Sequence, residues 1–152
     1  MARIAAGADH AGVQLKDALV AHLRELGHEV VDCGTHGTDR VDYPDYGEAV
    51  ARKVAAGEVE LGLCVCGTGI GISMAANKVP GVRAATVHDV TSARLTRQHN
   101  DANVICLGER LIGPEAAREA LDSFLEATFE EGRHVPRVAK INALLPIKEV
   151  AP

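Results

Sequence analysis

A chain of 152 residues with 47% hydrophobic but only 3% aromatic side chains must fill its core with Ala, Val, Leu and Ile, which suits buried parallel strands covered by helices. The 16 Lys and Arg against 21 Asp and Glu leave a formal charge of −5, so neither nucleic acid nor an acidic membrane is an expected partner and any anion site must be local. No apolar run approaches the ~18 residues of a membrane span and the start MARIAAGADHAG lacks an export pattern, so the expectation is a cytoplasmic protein whose Cys33, Cys64, Cys66 and Cys106 remain thiols.

In chain order, Arg3–Ala6 reads as a strand, and the next segment repeats Leu15, Leu19, Leu23 and Leu26 at helical spacing before Gly27 ends it. Glu29–Asp32 is a second strand and Pro44–Ala56 a second helix. Leu61–Val65, apolar throughout, is a third strand that runs through a glycine ribbon into a helix over Ile70–Asn77. Val82–Val87, a helix over Thr91–His99 and the strand Asn103–Leu107 follow. Gly113-Pro114 opens a helix whose buried stripe is Ala117, Leu121, Phe124 and Leu125. A final helix, about 133–146, sets Val135, Val138, Ile141 and Leu145 on one face, which either caps its own sheet or docks on a second copy of the chain. Strands alternating with helices give an α/β fold built from βαβ units in a single domain, 1–152.

In such folds ligands gather outside the carboxyl ends of the strands. The first strand empties into Gly7-Ala8-Asp9-His10, the third into Cys66-Gly67-Thr68-Gly69-Ile70-Gly71 and the fourth into His88-Asp89, while the following helix ends at His99-Asn100. Convergence of these clusters is the expected basis of a site. Alternate glycines at 67, 69 and 71 let backbone N–H groups approach an anion at a helix start. The spacing is not the dinucleotide G-x-G-x-x-G, there is no G-K-[ST], and the paired-histidine and Cys-x-x-Cys spacings of zinc sites are missing. Cys66 stands beside a helix start, where thiols ionise more readily, whereas Cys64 lies deeper in the strand and reads as structural. His10, His88 and His99 are candidate acids, bases or anion contacts, and Asp9 either grips a hydroxyl or caps the helix beginning near Gly12. Arg133 and Arg137, one helical turn apart, could face one phosphate, as could Arg110.

Taken together, Gly7-x-Asp9-His10, Asp42-Tyr43-Pro44, Cys66 to Ser73, Ala75-Ala76-Asn77-Lys78, Arg97-Gln98-His99-Asn100 and Gly132-Arg133-His134 closely resemble type B ribose-5-phosphate isomerase, within a family that also acts on galactose 6-phosphate and allose 6-phosphate. The resemblance implies a Rossmann-like three-layer sandwich with a five-stranded parallel sheet and an extra C-terminal helix. It also implies an enzyme of the pentose phosphate pathway without metal or organic cofactor. The protein would be a homodimer whose sites draw on both subunits, with further pairing into a tetramer left open. By position Cys66 is the proton-transferring base, His99 the ring-opening acid, and Thr68 an orienting group. Asp9 and Asn100 are hydroxyl contacts, and Gly67, Thr68, Gly69, Ile70 and Gly71 hold an enediolate. His10, Arg110, Arg133 and Arg137 bind phosphate. A second branch of the family replaces the cysteine by a glutamate later in the ribbon, where this chain has Ile72. The same sheet could instead carry a six-carbon sugar-phosphate isomerase or a non-catalytic nucleotide- or sugar-phosphate-binding module.

Overall fold

A computed structural model describes residues 1–146. Five strands, β1 (Arg3–Ala8), β2 (Glu29–Asp32), β3 (Leu61–Cys66), β4 (Ala84–Thr86) and β5 (Val104–Gly108), form one sheet in the order β2-β1-β3-β5-β4. Every neighbouring pair is parallel. Six helices accompany them: α1 (Val13–Glu25), α2 (Tyr43–Ala55), α3 (Ile70–Ala76), α4 (Val90–Asn100), α5 (Pro114–Glu126) and α6 (His134–Leu144). The α/β expectation therefore holds, with all five strands where the sequence put them to within a few residues.

The core is two apolar layers on either side of the sheet. One joins Leu15, Leu19 and Leu23 of α1 with Ala93 of α4 and Ala117, Leu121 and Phe124 of α5. The other joins Val50 and Val54 of α2 with Ile72 and Ala76 of α3, and contains Cys64, Cys66 and Cys106. Small residues in the strands let these helices lie close: a Cβ on Gly62 would sit 2.7 Å from Val50 and 3.0 Å from Val104. Among the described residues no helix is long and apolar enough to cross a membrane.

Two boundaries differ from the expectation, and one of the two placements left open for the last helix is excluded. Strand β4 is shorter than Val82–Val87 because it is an edge strand, and the Asn77 side chain takes both its outward groups, accepting from Ala84 N–H at 2.8 Å and donating to Ala84 C=O at 2.9 Å. Leu26 is not part of the buried stripe; it caps α1 and is exposed, since the chain reverses at Gly27 with φ +91°. The last helix does not cap its own sheet. Only Val138 of its apolar face is buried, while Val135, Ile141 and Leu145 are 48%, 46% and 41% exposed.

Beneath the carboxyl ends of β1 and β2 lies a fully buried cation. Lys16 Nζ donates to Asp32 at 2.8 Å and 3.0 Å and to the Thr35 carbonyl at 2.8 Å, with Asp17 at 3.1 Å. Burial alone would push the Asp32 carboxyl up, but the Lys16 hydrogen bond, the Gly34 N–H and the surrounding positive charge outweigh it and hold the carboxyl below its ordinary value. The folded state thus binds the carboxylate form more tightly than the unfolded chain does. That stabilisation is complete above the ordinary carboxylate range and is lost as pH falls through the depressed value. Asp32→Ala, which removes two of the buried ammonium's bonds and leaves it Asp17 and the Thr35 carbonyl, should cost about 3 kcal/mol in urea unfolding at pH 7, with the gap narrowing below about pH 4. Lys16→Met, which removes the charge with its need, should cost clearly less; equal losses would show that the pair is not the source of the stability.

Candidate active site

The glycine ribbon leaves β3 at Cys66 and turns at Gly69, whose φ of +76° is left-handed. That turn brings the Gly69 N–H back onto Cys66 Sγ at 3.1 Å. A Cβ on Gly69 would lie 2.8 Å from the Leu107 carbonyl carbon, so the position is closed to side chains by space as well as by conformation. Thr68 Oγ1 accepts the Ile70 N–H at 3.2 Å, and Thr86 Oγ1 donates to the Gly69 carbonyl at 2.9 Å. These bonds fix the ribbon between β3 and the start of α3.

Other residues of the same sheet edge close around it. Asp9 is buried, its own N–H donating to Val65 C=O at 3.3 Å and its Oδ1 accepting from Ala11 and Gly12 N–H at 3.0 Å and 3.1 Å. Asp9 thus closes the turn that leads into α1, whose N-cap is Gly12 and takes no side-chain hydrogen bond, so the expected capping role is not the one it has. His10 Nδ1 accepts the Val41 N–H at 3.2 Å, which leaves Nε2 as the protonated nitrogen of the neutral ring. The Arg110 N–H donates to Gly67 C=O at 3.0 Å, and its exposed guanidinium lies 3.5 Å from where a Gly67 Cβ would be. Cys66, Gly67, Thr68, Gly69, Asp9, His10 and Arg110 are thus brought to one edge.

The four thiols are free, and they are not equivalent. Hydrogen bonding with Cys106 and complete burial push the Cys64 thiol well above its ordinary range, so it stays protonated. Cys64 and Cys106 face each other across the β3–β5 register, which is the structural role expected of Cys64. Burial pushes the Cys33 thiol up as well. Cys66 is 4% exposed and, of these sulfurs, is the one that accepts an amide N–H from the ribbon.

Ile70 and Gly71 continue the ribbon into α3, whereas His99, Asn100, Arg133 and Arg137 do not join this cluster. The helix after β4 runs back against the strands, so His99-Asn100 lies at the amino edge of the sheet, where Asn103 N–H meets Arg83 C=O just before β5 pairs with β4. From Val104 to Gly108, the residue opposite Cys66, the chain rises about 13 Å. The expected convergence of His99 and Asn100 with the strand carboxyl ends is therefore corrected for a single chain. Helix α6 lies at the amino edge too, with Asn142 accepting from Arg83 at 3.2 Å, and it brings exposed Arg133 and Arg137 there. Asn100 lines a cleft of about 460 Å³ between β4, α4 and α6 that contains none of the carboxyl-edge residues.

Four residues given no role from sequence belong to this description. The Tyr43 ring packs on Gly71, where a Cβ would come within 2.6 Å of it. Glu109 links the carboxyl-edge loops, its N–H donating to Cys66 C=O at 2.9 Å and its Oε1 accepting from Leu15 N–H at 2.7 Å. His134 stacks on His99 with ring centroids 4.6 Å apart, and Glu130 Oε2 stands 4.0 Å from His99 Nε2. Burial, then the charges of Arg133 and His99, hold the His134 imidazole below its ordinary pKa, so it is neutral near pH 7. The sequence carried a signal for two of these, the i, i+4 spacing of Glu130 and His134.

Comparison with known proteins places these observations among relatives. The family model described as Ribose/Galactose Isomerase matches residues 4–141. The chain is 51% identical to ribose-5-phosphate isomerase B of Escherichia coli K12 over 144 residues, 95% of this chain and 97% of the relative. Its fold superposes on ribose-5-phosphate isomerase B of Clostridium thermocellum with TM-score 0.93 at 49% identity, covering 93% and 96% of the two chains. The type B ribose 5-phosphate isomerase of Trypanosoma brucei gives 0.90 at 50% identity, covering 93% and 97%.

The Gly69 turn offers a direct check on the ribbon. Gly69→Ala must leave the left-handed conformation or push back Leu107, either of which displaces the N–H that meets Cys66 Sγ. A displacement of about 1 Å should lower turnover about a hundredfold with the fold retained by circular dichroism; a near wild-type rate would show that this contact does not set the site.

Proposed function

The chain belongs to the ribose/galactose isomerase family, and on that premise we propose that it interconverts ribose 5-phosphate and ribulose 5-phosphate through ring opening and an enediolate. The observation that carries the reading is the Cys66 sulfur held under the Gly69 N–H at the mouth of a glycine ribbon, with His10 and Arg110 at the same edge. His99 gives a proton to the ring oxygen as the furanose opens and the anomeric hydroxyl gives up its own to solvent, so the aldehyde forms with no net change in protons. Cys66 thiolate then removes the C2 proton, and the resulting thiol returns it at C1, so the base is regenerated. Backbone N–H groups of the ribbon 67–71 stabilise the negative oxygen of the enediolate, apart from those of Gly69 and Ile70, which Cys66 Sγ and Thr68 Oγ1 already take. Asp9 orients hydroxyl groups at one end of the sugar, and phosphate held by His10 and Arg110 anchors the other.

We further propose that the working unit is a homodimer. His99, Asn100, Arg133 and Arg137 lie at the opposite sheet edge from Cys66 in their own chain, so a second copy is the source from which they reach the ribbon. The half-exposed face of α6, with Val135, Ile141 and Leu145, supplies apolar surface for that pairing. In this arrangement Arg133 and Arg137 complete the phosphate site begun by His10 and Arg110, and Asn100 meets a sugar hydroxyl.

Cys66→Ala should lower kcat about 10³-fold while ribose 5-phosphate still binds, and Cys64→Ala should leave kcat within about twofold, as steady-state rates and calorimetry will show. Equal losses in the two variants would refute the base assignment. During incubation of the wild-type protein with ribulose 5-phosphate in D₂O, deuterium should enter at C1; its exclusion would favour a binding module or a hydride shift. Catalytic efficiency should be highest on the five-carbon substrate, and a larger kcat/KM on allose 6-phosphate or galactose 6-phosphate would reassign the sugar.

A further inference from the structure

The amino-edge cluster contains more chemistry than ring opening uses. His134 is 7% exposed, and its Nε2 is buried without a hydrogen-bond partner among the described residues. Glu130 Oε2 stands 3.6 Å from that nitrogen and 4.0 Å from His99 Nε2, and the three donor atoms lie within 4.8 Å of one another. An imidazole nitrogen facing a carboxylate oxygen and a second imidazole is a donor set for a borderline divalent ion.

We propose that His99, Glu130 and His134 form an inhibitory Zn²⁺ site, with two imidazole nitrogens and one carboxylate oxygen as ligands and a fourth position open to water. Zinc bonds of about 2.0–2.2 Å at tetrahedral angles place neighbouring donor atoms roughly 3.3 Å apart, so the two Glu130 separations need to close by less than about 1 Å and the separation of the two imidazole nitrogens by up to about 1.5 Å. His134 is the fixed jaw. The His99 and Glu130 side chains, 36% and 47% exposed, are free to turn toward it. The two rings now lie 13° from parallel, so His99 must fan away from the stack for both lone pairs to converge. Arg133 and Arg137 stand on the same helix start and repel cations, which leaves selectivity to nitrogen affinity and excludes the oxygen-seeking Mg²⁺. Zinc held there occupies the nitrogen with which His99 would protonate the sugar, so the inhibitory half rests on the proposed role of His99 and the binding half does not.

The test uses the full chain carrying Cys66→Ala, which removes a competing thiol, titrated with Zn²⁺ against a chromophoric chelator at pH 7.5. One ion per chain should bind, at least about tenfold more weakly after His134→Ala and also after the conservative surface change Glu130→Gln, with millimolar Mg²⁺ unable to compete. No binding tighter than about 100 μM, or binding unchanged in both variants, overturns the site. In the protein with Cys66 intact, Zn²⁺ should inhibit isomerisation reversibly on chelation, and Glu130→Gln should raise the inhibitory concentration by the same factor as its loss of affinity. Tight binding at the cluster without inhibition would overturn the inhibitory half and the role of His99 together while leaving the metal site standing.

Discussion

A parallel sheet obliges each crossover helix to run back against its strands, and that constraint divides the chemistry of this chain between two edges. Cys66, Thr68, Asp9, His10 and Arg110 follow strands outward and stay at the carboxyl edge. His99 and Asn100 end a helix and return to the amino edge, where α6 adds Arg133 and Arg137. In the proposed roles neither half is a complete site: the first holds the proposed base and part of the proposed phosphate cradle, the second the proposed acid and two more cations. The proposed dimer follows from this division, because symmetry lets one edge of each copy meet the other edge of its partner.

Within the carboxyl edge, the controlling contact is the Gly69 N–H on the Cys66 sulfur. It depends on a left-handed residue packed against Leu107, on Thr86 and Thr68 holding the ribbon, and on Glu109 tying the Cys66 carbonyl to the start of α1. Cys64, two residues earlier in the same strand, has the same side chain but faces Cys106 in a closed apolar layer, which keeps it a thiol. Two identical side chains thus come to have different surroundings because of where the strand stops and the turn begins.

Much of this was legible beforehand because it is local. Apolar runs marked the five strands, Gly27 marked the end of α1, and the alternate glycines after Cys66 marked a turn too close-packed for side chains at 69 and 71. The separation of His99 from Cys66 was not legible from motif adjacency, since strand ends and helix ends look alike in a sequence and only their direction in the fold tells them apart. Leu26 fits the helical period but falls one step beyond the last residue of α1, at the cap just before the Gly27 turn. The α6 stripe could be read as apolar, yet whether it covers its own sheet is a tertiary property. His134 stands in a motif that carries the resemblance but received no role, and Glu130 stands outside every motif, because their partnership with His99 is formed across the chain reversal between α5 and α6.

The central claim, that one working site takes Cys66 from one copy and His99 from another, is tested most directly by mixing inactive Cys66→Ala and His99→Ala subunits under conditions that exchange them. Random pairing makes half of the dimers mixed, each with one site carrying both groups, so activity should return to about a quarter of the wild-type value. Activity no greater than the sum of the two parents, with mixed dimers demonstrated by mass spectrometry, would contradict it.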